Sequence, residues 1–142
     1  MEKKTKVVED YPPNYYFIKD FFKDIDTFQP FFAYGNVIYN PFKRQLSPDV
    51  ELHEQVHFRQ QGNNPDVWWA SYCTDRDFRE QMEVEAYAEQ YRFLKKFIPK
   101  ADKEIVDDFA DILSSPLYNL NISKHQAKTL IRHKVKEINN AT

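Results

Sequence analysis

A disulfide framework is excluded at once, because Cys73 is the only cysteine among 142 residues and has no second cysteine in the chain to pair with. Cys73 therefore reads as a small buried side chain. Glycine is nearly as scarce, with only Gly35 and Gly62, and a chain with so few freely rotating positions favours helix. No apolar run approaches the ~20 residues needed to cross a bilayer. The opening MEKKTKVVEDYPPN carries charge with no apolar stretch behind it, so neither a signal peptide nor a membrane anchor is read there and a cytoplasmic protein is expected. Neither sign of charge dominates: 20 basic against 22 acidic side chains leave a net −2, a balance that names no nucleic-acid or membrane partner.

What the chain does have is aromatic residues, 16% of the total and concentrated before residue 98, together with clear helix punctuation. The length suits one domain over residues 1–142. Residues 1–11 are polar and expected to be loose. Pro12 and Pro13 introduce YYFIKDFFKDI, a first helix of about three turns that ends before Pro30. FFAYGNVIYNP then reads as two short β-runs around Tyr34-Gly35-Asn36 and predicts a hairpin. Ser47-Pro48-Asp49 supplies an N-cap residue, a proline at the first helical position and an early acid, so a helix should begin there and stop near Gly62. Asn64-Pro65-Asp66 repeats that signal for VWWASYC. A long helix is predicted from about residue 75 to 98, ended by Pro99. Two more follow near residues 103–113 and 123–138, making 99–142 a helical C-terminal extension. The expected class is α+β, mainly α, with a small hairpin or sheet ahead of the Ser47 helix.

That helix carries VELHEQVHFRQQ. Residues four apart share a helical face, so His53 and His57 can present both imidazoles to one ion, while Glu54, about 100° away, can reach a water on it. The ion would act as a Lewis acid and the glutamate as general base, which is why H-E-x-x-H needs those residue types at that spacing.

Such a site needs a third ligand. The metzincin pattern is excluded, because Gln60 and Asn63 stand where it requires glycine and histidine. The other solution takes a glutamate from a later helix, and Glu80, Glu83, Glu85 and Glu89 are available. At about 100° per residue, Met82, Ala86, Tyr87, Tyr91, Phe93, Leu94, Phe97 and Ile98 fall in one broad apolar arc with Glu83 near its middle. Glu85, Glu89, Arg92 and Lys96 form a charged stripe opposite. A carboxylate on an apolar face needs a partner. That partner is either an ion shared with His53 and His57 or an arginine such as Arg59 or Arg79.

His53, Glu54 and His57 with the later Glu83-Val84-Glu85-Ala86-Tyr87 resemble the zincin-like metallopeptidases of the gluzincin type, particularly the short ones encoded in bacterial and phage genomes. The resemblance covers about residues 30–98. It implies one Zn2+ held by His53, His57 and Glu83, the last as the glutamate of an E-x-x-A motif completed by Ala86. It also implies a strand before the active-site helix whose free edge pairs with an extended peptide, mapping to residues 36–40. The chain departs from the pattern at Tyr87, where several such families carry Asp or Asn to support a histidine ligand. Tyr87 and Tyr72 are candidates to orient a ligand or stabilise an oxyanion, with core packing as the competing reading, and Gln61, two turns beyond His53, is a candidate to hydrogen-bond a ligand or substrate, with a half-exposed structural role as the competing reading.

The leading expectation is therefore a zinc-dependent peptidase acting on a peptide or protein. A metal-binding module that recognises a partner without turnover is the alternative, and Glu54 argues against it. A third class comes from ISKHQAKTLIRHKVK, whose Lys124, Lys128, Arg132, Lys134 and Lys136 could contact nucleic acid, although the remainder of the chain is acidic and no nucleic-acid motif accompanies them.

Overall fold

The computed structural model describes residues 5–141. The chain is mainly helical with one small three-stranded sheet, as its composition and punctuation predict. It divides into two compact units, Met1–Thr74 and Asp75–Thr142.

The first unit opens with strand β1 (Lys6–Val8), followed by helix α1 (Tyr15–Phe21), a turn of 3₁₀ helix (Ile25–Phe28) and the hairpin of β2 (Phe32–Tyr34) and β3 (Val37–Tyr39). The two residues joining the hairpin strands, Gly35 and Asn36, have φ of 58° and 69°. Positive φ at both central positions is the turn whose twist matches a two-residue hairpin, and glycine and asparagine are the residues that adopt it most readily. β3 pairs antiparallel with β2, Ala33 opposite Ile38, and parallel with β1, Val7 opposite Ile38.

Three expectations change here. Residues 1–4 of the supposedly loose opening lie outside the described residues, but Lys6–Val8 is a strand of the sheet. Because the order is β1-β3-β2, residues 37–39 form the central strand and offer no free edge to a peptide. The first helix also stops early: Phe22 leaves helical geometry (φ −125°), and the chain turns back so that the Tyr15 hydroxyl donates to the Asp26 carboxylate at 2.7 Å, with Lys19 Nζ 3.1 Å from the same group. In one continuous helix residues 15 and 26 would stand ~16 Å apart along the axis, so this bond and an unbroken helix exclude each other.

Two helices complete the unit. α2 (Pro48–Gln61) starts at the predicted proline, and Ser47 takes the extended N-cap backbone without a side-chain cap bond; the helix stops at Gly62, φ 57°. α3 (Pro65–Thr74) follows. Ile18, Phe32, Ala33, Ile38, Val56, Trp68, Trp69 and Tyr72 are buried here. Buried Gln61 fastens the end of α2 to the hairpin: Nε2 donates to the Ala33 carbonyl at 2.7 Å, and Oε1 accepts from the Gly35 N–H at 3.2 Å.

The second unit is three helices, α4 (Arg76–Phe97), α5 (Asp102–Leu113) and α6 (Lys124–Ala141). Asp75 caps α4 by accepting from the N–H groups of Asp77 and Phe78, satisfying donors that the first turn leaves open. Val84, Tyr87, Tyr91, Val106, Phe109, Leu113, Leu120 and Ile131 form its core. Each fully buried aliphatic there, such as Leu113 or Ile131, contributes ~1.5–3 kcal/mol relative to exposure. The predicted apolar arc of α4 holds through Tyr91 and fails at its end, where Phe97 is 68% exposed. Among the described residues no helix is long and apolar enough to cross a membrane.

Candidate metal centre

α2 holds His53, Glu54 and His57, and its four-residue spacing sets the two imidazole rings 4.9 Å apart, nearly perpendicular at 82°. All three side chains are buried, with relative exposures of 6%, 6% and 4%. Histidine and glutamate are costly to bury unless something inside the protein compensates them. Glu54 Oε2 stands 3.9 Å from His53 Nε2, within ionic range but too far for a direct hydrogen bond.

The surroundings of His57 come from its own helix and from α3. Its Nδ1 lies 2.8 Å from the side-chain oxygen of Gln60, one turn along α2. Its ring is 5.2 Å from that of Trp68. Trp68 in turn stacks on Tyr72 at 4.9 Å and meets Trp69 edge-on at 5.0 Å. This aromatic wall leaves His57 few alternative rotamers.

On α4, Glu83 is 3% exposed, as its place in the apolar arc predicts, while Glu85 is only half-buried. Among the described residues a single group of three or more metal-binding side chains is found, His53, His57 and Glu83; each offers one ligand atom, all within 4.8 Å of one another, and the group could hold a metal ion. Around an ion at ~2.1 Å, tetrahedral ligand atoms stand roughly 3.4 Å apart. Two imidazoles and a carboxylate suit a divalent ion of borderline softness. The donor set fits.

Arg59 and Arg79 are the two arginines named as alternative partners for Glu83. Arg59 is exposed. Arg79 is buried and donates from Nε to the Tyr118 carbonyl at 2.7 Å and from Nη2 to the Asn119 carbonyl at 3.1 Å.

The remaining candidates are all buried. The Tyr87 hydroxyl shares a 2.7 Å hydrogen bond with that of Tyr118, and its ring packs on Phe109. Tyr72 belongs to the aromatic wall beside Trp68 and Trp69. Gln61 directs both ends of its amide to the hairpin. Gln60, which mismatches the metzincin spacing, meets His57 of the group; its signal in the sequence is an acceptor three residues after His57 on the same helix.

In the C-terminal helix the cations have acidic neighbours. Lys124, Lys128 and Arg132 form ion pairs with Asp111, Asp107 and Asp102 of α5, and Lys134 pairs with Glu137.

No family model, no curated protein and no solved structure matches the chain.

Proposed function

We propose that the protein is a zinc-dependent peptidase in which His53, His57 and Glu83 hold the ion and Glu54 is the general base. The observation that carries this reading is the buried group of two histidines and a glutamate with a second buried acid, Glu54, 3.9 Å from the Nε2 of His53. A divalent ion bound there would supply Lewis acidity, making water acidic enough to lose a proton near neutral pH and drawing charge from a peptide carbonyl.

This chain's residues do the rest. Glu54 Oε2 takes the proton that water gives up and returns it to the leaving amine nitrogen. Its low exposure keeps bulk water from competing for that proton. The aromatic wall and Gln60 keep His57 in one orientation. A module that only held an ion would have no use for a buried acid at position 54. The ion pairs between α5 and α6 weigh against a nucleic-acid surface, because three of its five cations, Lys124, Lys128 and Arg132, already face aspartates.

The test is a peptide-library digestion with zinc supplied, comparing wild type with Glu54→Gln. Cleavage by the wild type and a loss of ~10²–10⁴-fold in kcat for the variant are expected for removal of a general base. Equal turnover by both proteins would reject the assignment of Glu54.

A further inference from the structure

His57 is met at Nδ1 by a neutral amide, and this has consequences for the metal site proposed above, on which the inference rests. The Gln60 side-chain oxygen lies 2.8 Å from His57 Nδ1. An amide oxygen can only accept, so the shared hydrogen belongs to Nδ1; in the neutral imidazole the lone pair then sits on Nε2. The contact joins residues three apart on one helix, a spacing that brings side chains together without distorting the backbone. The Trp68 ring, 5.2 Å away, is a second neighbour of the imidazole.

We infer that Gln60 is a positioning residue for the metal centre: it selects the Nδ1–H tautomer of His57 and directs Nε2 toward a divalent cation. Outer groups of this kind reduce the reorganisation needed when the ion enters. An amide performs the orientation without adding negative charge, so the site gains alignment but not the extra ligand basicity that a carboxylate at the same place would give. Replacement by glutamate should therefore preserve or strengthen metal binding, whereas replacement by a residue of similar length with no oxygen should weaken it.

The experiment measures zinc affinity by competition with a chromophoric chelator, and the visible absorption of the Co2+-substituted protein, for wild type, Gln60→Met and Gln60→Glu. Metal-free melting curves check that each variant folds. The expected result is a ~10–100-fold weaker zinc affinity in Gln60→Met, with altered Co2+ bands and unchanged metal-free melting, and recovery of both readouts in Gln60→Glu. Gln60→Glu alone still decides if Gln60→Met does not fold, since affinity below wild type there contradicts the inference. Wild-type affinity and an unchanged Co2+ spectrum in Gln60→Met would overturn the role of Gln60 and leave the metal site standing. Absence of zinc and Co2+ binding in the wild type would overturn the site and this inference together.

Discussion

The Gln61 side chain and the Ala33 carbonyl are joined by a 2.7 Å hydrogen bond, so the helix that carries both histidines is fastened at its C-terminal end to the hairpin. Trp69 Nε1 donates to the same oxygen at 2.9 Å, and Gln61 Oε1 also receives the Gly35 N–H. Gln61 is therefore a fastening of the first unit, and its amide serves the backbone.

Gln61→Ala removes both bonds and leaves the Gly35 N–H without this acceptor. A destabilisation of about 1–3 kcal/mol is expected for a buried polar side chain of this kind, read from urea unfolding, with zinc stoichiometry unchanged in the folded fraction. Undiminished stability accompanied by loss of metal would mean that Gln61 serves the site and not the scaffold.

The α5–α6 pairing should respond to acid. The Tyr91 hydroxyl, with Arg132 and Lys95 beyond it, holds the Asp102 carboxyl below its ordinary value, and Lys128 does the same for Asp107. A carboxylate whose folded value is depressed adds stability above its unfolded value and loses it as pH falls through the folded one. Thermal melts between about pH 5 and pH 2 should thus show a steeper decline for wild type than for Asp102→Asn. Parallel declines would mean that the Asp102 interactions contribute nothing to folding.

The helices were largely written in their ends. Ser47-Pro48-Asp49, Asn64-Pro65-Asp66 and Asp75 mark the starts of α2, α3 and α4, and Gly35-Asn36 marks the hairpin, because these are local rules about caps, proline and positive φ. β1 was not legible for the opposite reason. Its three residues are paired with Val37–Tyr39, some thirty positions away, and a short, mostly exposed strand carries no alternation to announce such a partner. The turn after α1 depends on Tyr15 meeting Asp26, again a non-local contact.

The candidate site divides in the same way. His53, His57 and Glu83 follow from helical spacing and an apolar arc, both local. The arc misplaced Phe97 because burial at the end of α4 depends on what packs there, which periodicity alone does not specify. Gln61 and Gln60 were told apart only by the hairpin's position: one amide meets a carbonyl of β2, and the other meets a histidine.

The proposed metal centre rests on Glu83 being the third ligand and Glu85, two residues away and on another face, being none. The most direct measurement is metal content by elemental mass spectrometry on protein purified without a metal-affinity tag and supplied with zinc, for wild type, Glu83→Gln and Glu85→Gln. The account predicts about one zinc per chain in wild type and Glu85→Gln, as expected for a mononuclear site, with most of it lost in Glu83→Gln. Equal retention in the two variants, a greater loss in Glu85→Gln, or a wild type that holds no metal would contradict it.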